Sequence, residues 1–324
     1  MATAENAKLQ YEAGQNAVAM SVLTNSGDAT TFTSAASLWS SRSGFAPVVR
    51  PNGLLTGGAI TPNASNNTVT VASLTCNLNG VVTTVAGGNL TATRPASNVS
   101  KVVSLTVNAA GALAAVAGTD GSTAAFVETR GAAGGPPLIP VDSIEIGQVR
   151  FATSTAAVIP STEIFQVVGL HRERADFPLF DVLPGSGTVR FLDVLPAIHT
   201  GPTPKRTFAS YASPIFADIA LASDFVPPET THSVTSTQVY GTTLGSSSST
   251  LGQGSFTAFL NNGVNDPLVA LKNEVLWFRF YPDRYATPNL LCQGKLGIAR
   301  TFPAADSIQA ACTISASAAA TEVA

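Results

Sequence analysis

Asn265-Asp-Pro-Leu-Val-Ala-Leu-Lys-Asn-Glu-Val-Leu-Trp-Phe-Arg-Phe-Tyr-Pro-Asp283 changes periodicity halfway along, and that change decides how the rest of the chain is read. Asn265, Asp266 and Pro267 spell a helix start. An Asp accepts from the free N–H groups of a first turn, and a Pro at the first helical position loses no hydrogen bond. A short helix is expected near 267–274. Val275 to Tyr281 then carries the β-branched and aromatic residues of a strand, and Pro282-Asp283 closes it with a turn. Leu276, Phe278 and Phe280 share one face of that strand. Burying each such side chain is worth about 1.5–3 kcal/mol, so this face is expected in the core. Trp277, Arg279 and Tyr281 are expected to face outward or toward a neighbouring chain.

Working outward, two more runs alternate. In Leu290 to Phe302, the residues Cys292, Leu296, Ile298 and Phe302 share a parity. In Ile308 to Ile314, so do Ile308, Ala310, Cys312 and Ile314. Upstream, Thr68 to Cys76 and Val81 to Val85 flank Asn79-Gly80, the strongest short-range hairpin signal. Lys101 to Val107, Leu113 to Gly118, Ile139 to Phe151 and Ile164 to Val168 also read as strands, with Ile144, Ile146 and Val149 as apolar candidates. Ser233 to Thr243 is a Thr/Val-rich strand, and Gly245 to Gly252 reads as a flexible turn. Ala7 to Met20 is helix-permissive and weakly periodic, and residues 1 to about 20 are expected to form an arm that orders on contact with another subunit. The fold class is therefore all-β with one short helix. A chain of 324 residues exceeds the usual single core, so we expect two parts: a β-rich module over 1–160 and a β-sandwich or barrel-like domain over 161–324.

Only 11% of the residues are charged, against roughly 25% in an average soluble protein, and the net charge is −3 with no basic tract. Such a surface suits a protein largely covered by other copies of itself, and it gives no footing for tight nucleic-acid binding. Cys76, Cys292 and Cys312 form no C-x-x-C pair. They read as buried free thiols, with a Cys292–Cys312 bridge as the alternative. Met1 to Lys8 lacks the charged-then-apolar arrangement of a secretory signal and no apolar run approaches 18 residues, so neither secretion nor membrane insertion is expected.

The chemical motifs are few. Arg130-Gly-Ala-Ala-Gly-Gly-Pro-Pro137 lacks the Lys-Ser/Thr of a phosphate loop and reads as a turn. His171-Arg172-Glu173-Arg174-Ala175-Asp176 is the one dense charged cluster. It offers either acid–base or metal-binding groups, or a salt-bridged loop at a subunit contact, and the second is favoured because no other His or Cys lies near. His199 and His232 stand alone. With no nucleophile motif and no ligand set, no enzyme activity, metal or cofactor is expected.

Gly254-Ser-Phe-Thr-Ala-Phe-Leu260, Asn265-Asp-Pro-Leu-Val-Ala-Leu271 and Leu291-Cys-Gln-Gly-Lys-Leu-Gly-Ile-Ala-Arg-Thr-Phe302, followed by Ala305-Asp-Ser-Ile308, together resemble the major tail tube protein of long-tailed bacteriophages. The resemblance covers about the last third of the chain. It implies hexameric rings stacked into a tube through which phage DNA passes without sequence-specific binding. It also implies assembly in the host cytoplasm with other tail proteins, the tape measure, the tail terminator and the baseplate or tip. Its expected inter-subunit residues are Arg172, Arg174, Lys205, Arg206, Trp277, Arg279 and Tyr281, and the loop that projects to the next ring is sought in Ile198 to Ser213. The alternatives are a receptor-binding adhesin, with Trp39, Trp277 and Tyr281 stacking on sugars, or a capsid decoration protein.

Overall fold

A computed structural model describes residues 5–166, 179–201 and 203–324. Strands carry 52% of the described residues and helix 3%, so the fold is all-β. The chain makes two compact units. One is Met1–Ala17, Leu38–Ala46 and Tyr211–Ala324; the other is Val18–Ser37 and Pro47–Ser210. These differ from the expected division at residue 160. The first unit takes in the N-terminus, and the second extends fifty residues further than expected.

The reason is the N-terminal segment, which is no arm. Lys8–Val22 is a strand of 15 residues. It lies beside Val275–Tyr281 with Leu9 opposite Phe280 and Tyr11 opposite Phe278. Leu9 and Tyr11 point to one side and are buried, as period-two geometry requires. Polar residues and alanines further along the strand hide this alternation from a sequence reading.

The sheet that makes up most of the first unit runs in the order Ala222–Val226, Gly254–Phe259, Gln309–Ala316, Asn289–Thr301, Val275–Tyr281, and then the parts within this unit of Lys8–Val22 and Thr207–Asp218. Seven flat strands would separate the first and last by about 29 Å, at ~4.8 Å per spacing. Yet only residues 219–221 join Asp218 to Ala222, a link that reaches at most about 14 Å. The sheet must therefore curl enough to bring Asp218 and Ala222 near each other, without closing into a barrel. The backbone shows this directly: Ile219 N–H donates to the Leu9 carbonyl near one end, and Phe259 N–H donates to the Leu221 carbonyl at the other. Curling wraps one face around a core of Leu276, Phe278, Cys292, Leu296, Phe256 and Ile314. Phe278 sits opposite Cys292, and Cys312 sits opposite both Ile298 and Phe256. Phe302, expected on this face, lies beyond the strand and is exposed.

The helix is shorter than expected, Pro267–Ala270. Asn273 adopts φ 73°, and its N–H already donates to the Leu296 carbonyl, so the chain is back in the sheet after one turn. Asp266 occupies the capping position without capping. Its carboxylate instead accepts from the N–H groups of Asn261, Asn262 and Gly263, at 3.1, 3.4 and 2.7 Å, and so closes the preceding loop.

The second unit holds several small antiparallel sheets around one core that includes Val69, Val103, Leu105, Ile144, Ile146 and Phe151. The Asn79-Gly80 turn forms where expected, with φ 50° and 78°, joining Leu74–Leu78 to Val81–Val85. Both residues take the left-handed conformation that a two-residue hairpin loop demands. Lys101–Asn108 is the spine of a four-stranded sheet with Leu113–Ala117, Ser143–Phe151 and Ile164–Gln166. Beside it, the buried Glu145 carboxylate is held by Arg130 in an ion pair of 2.7 Å and by the Ser104 hydroxyl and the Gln148 amide. The Arg130–Pro137 run is thus a loop that positions a structural cation.

Candidate interaction site

The residues expected at subunit contacts have different surroundings. Arg172 and Arg174, with His171, Glu173 and Asp176, lie outside the described residues. Lys205 is fully buried, and Arg206 pairs with Asp142 at 2.7 Å. Trp277 is 6% exposed and does not face outward. The segment Leu38–Ala46 covers it. Its indole N–H donates to the Trp39 carbonyl at 2.8 Å, while its backbone N–H donates to the Glu12 carboxylate at 3.1 Å. Glu12, itself 0% exposed, also accepts from the Gln15 amide and the Ser40 hydroxyl. Here two strands separate and a carboxylate replaces the ladder bond; the cost of burying it is met by hydrogen bonds. Arg279 lies over the Phe216 ring, and Lys8 over the Tyr281 ring, at 4.2 and 4.5 Å. These two residues stay partly exposed. Correctly alternating side chains can be buried on both faces of a strand when a second layer lies above, which a one-dimensional pattern does not report.

Ile198 to Ser213 is not a projecting loop. Ile198, His199, Thr207, Phe208, Ala209, Tyr211 and Ala212 are all buried. The His199 ring bonds the Ser143 carbonyl at 2.9 Å. Burial pushes its pKa below the ordinary value, the Ser143 bond opposes this, and the positive charges of Arg130 and Arg206 add to the fall. Between that lowered value and the ~6.5 of an unfolded histidine, the unfolded chain holds the extra proton, so stability rises with pH across the window and is lost as pH falls through it. The urea midpoint of the second unit is expected to drop between pH 7 and 5, and His199→Gln is expected to flatten that slope. An equally steep slope in the variant would contradict the assignment.

What projects instead is a stretch read as a strand followed by a flexible turn. Thr230–Val239 and Thr242–Leu251 are two strands of ten residues, paired to each other and, among the described residues, to no other strand. Every residue of Thr230–Val239 is exposed, and so is every residue of the second strand whose burial is described, except the half-buried Leu251 at its base. Val234, Leu244 and the tip residue Tyr240 are 78%, 61% and 108% exposed. Ser233 and Ser248 hydroxyls meet across the pair at 2.7 Å. No Asp, Glu, Lys or Arg occurs from Thr230 to Asn265. The signal was present as Thr/Ser alternation about Tyr240-Gly241, but serine-rich text reads as linker because hydroxyl side chains carry no hydrophobic period.

A cleft of about 670 Å³ opens at the seam of the curled sheet, lined in part by Leu9, Ile219, Phe225, Phe259 and Phe280. The Phe225 and Phe280 rings stack there at 4.6 Å. Among the described residues no group of three or more His, Cys, Asp or Glu gathers to hold a metal, and no helix is long and apolar enough to cross a membrane.

The three cysteines are free and buried. Burial pushes the Cys292 and Cys312 thiols up to about 12 and Cys76 to about 11. Cys292 and Cys312 lie on neighbouring strands but far out of register, since Cys312 faces Ile298. None of the three is expected to react with an aromatic disulfide reagent at pH 8 in the folded protein, and all three are expected to react in denaturant. No protein-family model matches the chain, and no curated protein matches it significantly.

Proposed function

We propose that this chain is a structural, self-assembling subunit of a bacteriophage tail tube, closing into hexameric rings that stack into a DNA-conducting tube. The observation that carries the self-association is the 230–251 hairpin. A two-stranded ribbon is marginally stable in water by itself and needs a third strand, a hydrophobic face or a packed partner. This one has none among the described residues and holds Val234, Tyr240 and Leu244 in solvent. A second copy supplies what is missing. The low charge of the whole chain points the same way, and the ring and tube are what the resemblance of its last third adds.

The adhesin reading loses two of its three sugar-stacking residues, because Trp39 and Trp277 are 0% and 6% exposed, while Tyr281 stays partly exposed beneath Lys8. Negative-stain imaging and light scattering of the purified protein over a concentration series test the proposal. Rings, or tubes built of rings, are expected. A monomer at every concentration, with no ring in any field, would overturn it.

A further inference from the structure

We propose that the seam cleft of the first unit receives the hairpin tip of a second copy of this chain, with Tyr240 as the anchoring side chain. The inference rests on the self-assembly reading and deepens it by naming both halves of one contact.

The receiving half is built at the seam. Ala222–Val226 ends the sheet, so one of its edges is unpaired. That edge is poorly made for continuous strand addition. Its register with Gly254–Phe259 breaks between Ser223 and Val226, and Asp224 adopts φ 54°. Such bulges twist an edge away from a new ladder. What the seam offers is a concavity with an aromatic floor: the Phe225–Phe280 stack and Phe259 are only partly covered, and Leu221 at its mouth is 61% exposed. Its volume lies within the ~300–1,000 Å³ of sites that enclose an aromatic group.

Four of the five charged side chains that line the cleft are engaged, Asp224 by the Ser223 hydroxyl at 2.9 Å. Asp218 accepts from the Gln10 amide at 2.7 Å, and Lys8 lies over Tyr281. Arg284 donates to the Asn6 and Ala7 carbonyls at 3.3 and 3.0 Å. A neutral, amphipathic occupant fits this chemistry better than an ion does.

The hairpin is that occupant. It carries no formal charge, and Tyr240 at its tip is fully exposed. Its strands extend about 34 Å, at ~3.4 Å per residue, which is comparable with the ~37 Å diameter of a compact domain of this unit's size. The tip therefore reaches a neighbour. Its two ten-residue strands approach the ~20–30 residues that each side of a stable interface contributes. Tyrosine suits the anchor position because it adds large contact area for few frozen torsions and keeps a hydroxyl for the rim.

The test uses the full chain with Thr242→Cys, an exposed residue beside the tip that leaves Tyr240 in place, and Leu221→Cys together, oxidised after assembly, since the native thiols are buried. A ladder of covalent multimers on a non-reducing gel, collapsed by reductant, is expected. Rings without a ladder would overturn the docking while leaving self-assembly standing; absence of rings from the unaltered protein would overturn both. Should the double variant fail to assemble, amide exchange on the unaltered protein decides. Residues 221–226 and 238–242 are expected to slow at least ~10-fold between dilute monomer and assembly, and unchanged exchange in either segment would overturn the contact. Tyr240→Ala is expected to weaken association about 30-fold, a loss of the size that defines an anchoring residue, and Tyr240→Phe to weaken it little. Equal affinity for Tyr240→Ala and the unaltered chain would also overturn it.

Discussion

Trp277→Ala is expected to cost about 3–5 kcal/mol, the range for deleting a buried large aromatic side chain. Three losses coincide at this position. The indole leaves a cavity among Leu38, Leu291 and Phe216. The buried Trp39 carbonyl loses its donor at 2.8 Å. The Leu38–Ala46 segment, held by that bond and by Ser40 on Glu12, loses part of its attachment. Against a typical total stability of ~5–15 kcal/mol, one substitution consumes a large share. Trp277→Phe is expected to fall between, because it keeps most of the packing and loses one hydrogen bond, worth about 0.5–1.5 kcal/mol. Urea unfolding followed by tryptophan fluorescence reads this unit alone, since both tryptophans, Trp39 and Trp277, lie in it. A cost below about 1 kcal/mol for the alanine variant would mean that the indole is a surface group after all.

Replacing Thr230–Leu251 by a Gly-Gly-Ser link is expected to do the opposite: stability unchanged within about 0.5 kcal/mol, self-association lost. Almost every described side chain of the hairpin is exposed, so its removal takes little from the core. Its ends are already adjacent, because Gly252 N–H donates to the Glu229 carbonyl at 2.8 Å, and a short link closes the gap at little entropic cost. Light scattering is expected to show a monomer at concentrations where the full chain assembles. Rings from the shortened chain would remove the hairpin from the assembly contact. A large loss of stability would show that it supports its own fold.

These two changes mark the boundary of what the letters convey. Val275–Tyr281, the core face of Leu276, Phe278 and Phe280, the Asn79-Gly80 turn and the free cysteines were legible, because each depends on contacts or dihedrals a few residues apart. Lys8–Val22 was not. Its stability as a strand comes from pairing with residues some 270 positions later, and propensity is blind to a partner that distant. The covering of Trp277 escaped for the same reason. Period-two alternation says which side chains share a face but leaves open whether a second layer, here Leu38–Ala46, lies on the other.

By itself the sequence determined that this is an all-β protein, poor in charge, with a helical interruption at Pro267 and a core strand after it; backbone sterics and apolar periodicity act locally and need no partner. Only the tertiary structure decided that the sheet of the first unit curls on its N-terminal strand, that the apolar side chains of Ile198, Phe208 and Tyr211 are buried rather than carried on a projecting loop, and that the serine-rich stretch stands out as a ribbon. Those outcomes turn on which distant segments satisfy one another's hydrogen bonds and cover one another's surface, a free-energy balance set in three dimensions.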